Sequence, residues 1–157
     1  MTGGRLAKKD WVLLCLMRAP LDRLRLMKTL FLIWRRHLRA DDADFFQFRP
    51  YLYGPCSFEL YSVLETMQEG GSIVHESHPG ERWGNYILSH RGKEEAQEAR
   101  ERADANELKA IEEIVKFAST ASIGELLNQV YEEAPEYAVK SLFKRLSHGD
   151  TGPGRSC

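Results

Sequence analysis

Apolar residues recur with helical spacing along most of this chain. Residues 7–18 are apolar nearly all round, which predicts a short buried helix. Pro20 separates it from residues 22–38, where Leu24, Met27, Phe31, Trp34 and Leu38 share one face and Leu26, Leu30 and Ile33 widen it. Asp22 is placed to cap this second helix, and Arg25, Lys28, Arg36 and Arg39 are expected on its other side. Residues 40–56 have no helical period, and Pro50 and Pro55 disfavour helix there. Ser57 is expected to cap a helix running to about Glu69, with Phe58, Leu60, Tyr61, Leu64 and Met67 as its apolar positions. Gly70-Gly71 closes it.

Two short strand candidates follow, Ser72–Glu76 and Arg82–Leu88, joined by a turn that contains Pro79-Gly80. Helix, Gly-Gly, strand, loop, strand, helix is the order of a winged helix. A polar helix is predicted from about His90 to Ala105. Leu108, Ile111, Val115 and Ala118 hold one face of the next. Ser122-x-x-Glu125 is a capping box before Leu126, Leu127, Val130 and Tyr131. Pro135 breaks the pattern, and Val139, Leu142, Phe143 and Leu146 suggest one more short helix. The expected fold is mainly α (α+β): a winged-helix-like core with a two-stranded hairpin and additional C-terminal helices. One domain is expected over 1–146, with a flexible tail over 147–157.

At 157 residues, with 43% apolar and 29% charged residues, the chain is in the range of a soluble globular domain. No apolar run reaches the roughly 18–20 residues of a membrane span. The apolar stretch Trp11–Met17 is short, edged by Asp10 and followed by Arg18 without a small-residue cleavage site, so it does not read as a signal peptide. A cytoplasmic location and no membrane contact are the expectation. Cys15, Cys56 and Cys157 include no C-x-x-C and indicate neither a disulfide framework nor a zinc ribbon.

The net charge of −1 hides an asymmetry. Residues 1–40 hold ten Arg/Lys and two acids, the remainder twelve and twenty-one. A basic third beside an acidic rest suits an internal dipole, an acidic partner or nucleic acid. In a winged helix the helix before the wing reads DNA. Here it carries Glu59, Glu65 and Glu69 and no Arg or Lys, so the phosphates would repel it. DNA binding is disfavoured, its surviving route being Arg25, Lys28, Arg36 and Arg39. His75-x-x-His78 lacks a third ligand, so no metal is expected. Gly54-Pro55-Cys56-Ser57-Phe58 lacks the second glycine of a nucleophile elbow, and neither a phosphate loop nor a dinucleotide fingerprint is present. The chain is expected to be non-enzymatic and without cofactor; an enzyme or ligand-binding domain would need a pocket beneath Tyr51 and Tyr53.

The densest feature is Pro50–Tyr61. Seven of the 16 aromatic residues fall between Phe45 and Tyr61. Tyr51, Tyr53 and Tyr61 around Gly54-Pro55, directly before Ser57 and a helix, are suited to packing over the turn and to meeting a protein partner. Tyr51, Tyr53, Gly54, Pro55, Ser57 and Tyr61 are therefore the candidate partner-binding residues.

On these segments the chain resembles the SocA-like antitoxin family, also called the Panacea domain, of bacterial and phage toxin–antitoxin systems. Leu26–Ile33 is similar to its leucine-rich helix around a Lys-Leu-Leu pair, with Thr29 in place of the usual Leu. Pro50–Pro55 resembles its aromatic-x-x-Gly-Pro turn, with Glu59-Leu60-Tyr61 in the helix after it and Cys56 where a larger residue is often found. Leu88–Lys93 resembles the segment after the wing, and Val130–Tyr137 a Val-Tyr-x-x-Tyr-Pro-Glu-Tyr segment of related small proteins. The resemblance spans roughly residues 22–142. It implies a winged-helix-related fold and an antitoxin that neutralises a toxin by direct contact or delivers it to a protease. The leading expectation is an antitoxin-like protein-interaction domain, the alternative a winged-helix DNA-binding transcriptional regulator. Homodimerisation stays open.

Overall fold

The computed structural model describes residues 6–38, 44–80 and 83–138. At its centre is α1 (Lys8–Arg18), in which every residue from Trp11 to Leu16 is buried. Asp10 closes its first turn by accepting from the Ala7 amide at 2.8 Å and pairing with Arg102 at 2.6 Å. Helix α2 (Arg23–His37) starts at Asp22, whose carboxylate accepts from the Arg25 amide at 2.7 Å. One hydrophobic cluster runs from Leu6 to Tyr137 and joins these helices to the elements that follow.

The segment without helical period is a hairpin. Strand β1 (Arg49–Tyr51) pairs antiparallel with β2 (Gly54–Cys56) across Leu52-Tyr53, with Pro50 opposite Pro55. Helix α3 (Phe58–Glu69) follows directly. Strands β3 (Ile73–Glu76) and β4 (Asn85–Leu88) form a second antiparallel hairpin. Leu21, between α1 and α2, bridges to Tyr86 through backbone bonds of 3.4 and 2.8 Å and ties the hairpin to the helical core. The fold is therefore mainly helical, α+β, with the helix–hairpin–helix order read from the sequence.

Helix α4 (His90–Arg102) has almost no large apolar residue; it packs on α1 with Ala96 and Ala99 buried, while its buried Gly92 lies against Ser72 and Leu88. The expectation that it reaches Ala105 is corrected. Ala103 is extended, and Asp104 opens α5 (Ala105–Thr120) with a capping box: its carboxylate accepts from the Glu107 amide at 2.8 Å, and Glu107 accepts from the Asp104 amide at 2.9 Å. Helix α6 (Ile123–Glu133) starts at the Ser122–Glu125 box, and a 3₁₀ turn (Pro135–Ala138) follows. The expected helix through Leu142 and Leu146 and the tail 147–157 lie outside the described residues, as do Arg39, Glu81, Arg82 and Cys157. Among the described residues no helix is long and apolar enough to cross a membrane.

Candidate functional site

The β1–β2 hairpin and the start of α3 rest on a buried lysine. Lys28 is 0% exposed, and its Nζ donates to the Pro55 carbonyl at 2.9 Å. The sequence expectation of one basic surface on α2 therefore needs correcting at Lys28. Its helical neighbours at i−4, i+3 and i+4 are Leu24, Phe31 and Leu32, all buried, so it lies on the core side and anchors the turn from beneath. The turn is held at two further points. Gly54 adopts φ +87°, and a Cβ there would sit 3.1 Å from Cε1 of Tyr131. The Ser57 amide donates to Met27 Sδ at 3.2 Å.

That last bond changes the reading of Ser57. Its side chain makes no capping hydrogen bond; Oγ reaches only Glu59 at 3.5 Å, and the residue is buried. Ser57 fixes the hairpin to α2 through its backbone rather than capping α3 through its hydroxyl. Tyr53, Pro55 and Cys56 are buried with it, so of the six candidate partner-binding residues only Tyr51 and Tyr61 are even half-exposed.

The exposed surface is completed by residues not singled out from the sequence. Phe58, counted there among the apolar positions, is 43% exposed. Tyr51 packs edge-on against Phe58 at 5.3 Å, and Phe58 lies 5.9 Å from Tyr61. The Arg23 guanidinium sits over the Tyr61 ring at 4.6 Å. The signal lay in the period of α3: Leu60, Leu64 and Met67 form its buried face, and Phe58 is nine residues from Met67, about half a turn away.

The remaining basic candidates are engaged within the fold. Arg25 pairs with Asp22 at 2.6 Å and donates to the Ala118 and Ala121 carbonyls at 3.0 and 2.9 Å, closing the C-terminus of α5. Arg36 grips Glu133 through two nitrogens, one at 2.9 Å to Oε1, and that hydrogen bond holds the Glu133 carboxyl below its ordinary range. Arg25, Lys28 and Arg36 do not converge on one exposed surface. The His75 ring lies tilted against that of Tyr86 at 4.8 Å, and His78 lies 3.9 Å from Glu76. Among the described residues no group of three or more His, Cys, Asp or Glu stands where it would hold a metal ion.

No family model matches this chain, and no curated protein is similar to it at a significant level.

Two buried groups give the core a pH signature. Burial lowers the Lys28 ammonium to about 7, against an opposing pull from Asp22. Burial pushes the Cys15 thiol up to about 12. An unfolded lysine titrates near ~10.4 and an unfolded cysteine near ~8.5. Above about pH 7 the unfolded chain therefore holds a proton at Lys28 that the folded chain has released, and stability rises with pH by up to about 1.4 kcal/mol per unit. Above about pH 8.5 Cys15 acts in the opposite sense, because the unfolded thiol loses a proton that the folded thiol keeps. Denaturant unfolding at pH 7, 8, 9 and 10 is expected to show stability rising to about pH 9 and then levelling. Lys28→Met removes the rise, and Cys15→Ala extends it to pH 10. A wild-type protein that loses stability between pH 7 and 8.5 would refute this account.

Proposed function

We propose that this chain is a non-enzymatic protein-interaction domain of antitoxin type, which binds and neutralises or sequesters a protein partner. The observation that carries the reading is the outward aromatic strip of Tyr51, Phe58 and Tyr61 on a rigid support. Aromatic side chains supply large contact area at small entropic loss and are enriched at binding hot spots. Lys28, Gly54 and the Ser57 amide fix the strip before binding, and such preorganisation favours affinity. The resemblance of Leu26–Ile33 and Pro50–Pro55 to the SocA-like family supplies the kind of partner, a toxin.

DNA binding has less support. Its route ran through Arg25, Lys28, Arg36 and Arg39, and the first three are spent on Asp22, Pro55, Glu133 and the end of α5. Co-expression with the product of the neighbouring gene is the direct test. That product is expected to co-purify with the wild-type chain and to bind Phe58→Ser at least about tenfold more weakly, with the fold unchanged by circular dichroism. The reading fails if the product neither binds nor shows toxicity that this chain relieves.

A further inference from the structure

We propose that the outward face of α3 receives a basic segment of the partner, rich in arginine or lysine; this rests on the protein-interaction reading and names the chemistry of what is bound. Successive helical residues advance by about 100°, so Phe58, Glu65 and Glu69 fall within roughly 40° of one line that extends about 16 Å along the helix. Tyr61, Glu65 and Glu69 follow i, i+4, i+8 beside it. The face is aromatic at its N-terminal end and acidic at its C-terminal end.

All three charged residues of α3 are acidic. Glu59 is already bound: it accepts from Lys8 at 2.6 Å and from the Gln47 amide at 2.9 Å. Glu65 and Glu69 are exposed, and among the described residues their carboxylates enter no ion pair. The chain itself shows what such a surface accepts, since Arg23 lies over the Tyr61 ring. Aromatic faces attract cations, guanidinium above all, and carboxylates on the same line add charge complementarity. An acidic segment or a phosphate backbone would meet repulsion from Glu65 and Glu69 at the C-terminal end of the face. A second copy packing this face on itself by two-fold symmetry would bring the same acids against these, and the occupant proposed is a different, basic protein segment.

Fluorescence anisotropy with a labelled peptide of alternating arginine and leucine, and with the same peptide carrying glutamate for arginine, decides the matter. At 50 mM salt the arginine peptide is expected to bind and the glutamate peptide not. Phe58→Ser and the pair Glu65→Lys/Glu69→Lys should each weaken binding at least tenfold. The charge-matched pair Glu98→Lys/Glu101→Lys, on the exposed side of α4, should weaken it less than threefold. Equal losses for both pairs, or equal binding of both peptides, would overturn the proposal. So would a concentration-dependent dimer in sedimentation that Phe58→Ser and Glu65→Lys/Glu69→Lys abolish. The co-expression experiment separates this inference from the broader one. A neighbouring product that loses binding to Phe58→Ser but not to Glu65→Lys/Glu69→Lys removes the charge inference alone. A product that ignores the wild-type chain removes both.

Discussion

At pH 10, replacing Lys28 with alanine is expected to destabilise the protein by about 3–5 kcal/mol, the largest effect of any single side-chain truncation at the candidate site. Two losses combine. The buried stem leaves a cavity like that of a buried methionine or leucine cut to alanine, about 2–5 kcal/mol. The Pro55 carbonyl, on the buried strand β2, loses its 2.9 Å donor, which costs about 1–3 kcal/mol. These losses are those expected at pH 10; at pH 7 removing Lys28 also removes the cost of an amine that titrates at about 7 in the fold and at about 10.4 in the unfolded chain, which offsets most of them. A domain of this size has about 5–15 kcal/mol in total, so the variant stands near its limit. Lys28→Met keeps the volume and loses only the hydrogen bond, and should lose about 1–3 kcal/mol. Chemical denaturation of the three proteins at pH 10 gives the comparison. If Lys28→Ala unfolds within 1 kcal/mol of wild type, Lys28 is not the anchor of the hairpin.

The rank of effects at this site could have been read from the sequence only in part. The helix over 22–38 and its apolar face were legible because Leu24, Met27, Phe31 and Leu38 repeat with a clear period. The same period places Lys28 among Leu24, Phe31 and Leu32, but the general exposure of lysine argued the other way, and a distant carbonyl decided between them. The hairpin at Arg49–Cys56 was not legible. Its strands have three residues each and a proline in each, and proline removes the donor on which strand signals rest. That Pro50–Tyr61 was rigid and aromatic could be seen; that Tyr53 faces inward and Phe58 outward required the tertiary contacts of Tyr131 and Lys28. Ser57 had the residue type of a cap, yet the position of Met27 determined its actual bond. Asp104-x-x-Glu107 was a readable capping box, and with it the break between α4 and α5 would have been placed.

Gly92→Ala should lower stability by about 3–4 kcal/mol and the melting temperature by about 10 °C, although glycine to alanine inside a helix ordinarily stabilises by about 0.5–1 kcal/mol. The sign reverses because of what lies against the Cα. A Cβ on Gly92 would stand 2.0 Å from the Ser72 carbonyl oxygen and 3.0 Å from its carbon, with Cδ2 of Leu88 at 3.3 Å. That carbonyl cannot simply retreat. It accepts from the Ser89 amide at 3.0 Å, and the Ser89 hydroxyl, which donates to the preceding Gly71 carbonyl at 2.5 Å and lies 3.0 Å from that of Ser72, caps α4 by accepting from the Gly92 amide at 3.0 Å. Moving Ser72 breaks bonds worth about 1 kcal/mol each, and moving α4 pulls Ala96 and Ala99 off α1; overpacking alone costs about 1–3 kcal/mol. Gly71→Ala is the internal comparison. Gly71 has φ +83° but nothing within 4 Å of its Cβ position, so it carries only the left-handed penalty of about 1 kcal/mol. Thermal unfolding that ranks Gly92→Ala as no worse than Gly71→Ala would show that α4 slides on α1 at little cost. The expected ranking instead makes the Ser89–Gly92 turn the joint that locks the β3–β4 hairpin to the helical core, and so holds α3 and its outward face in register with α1.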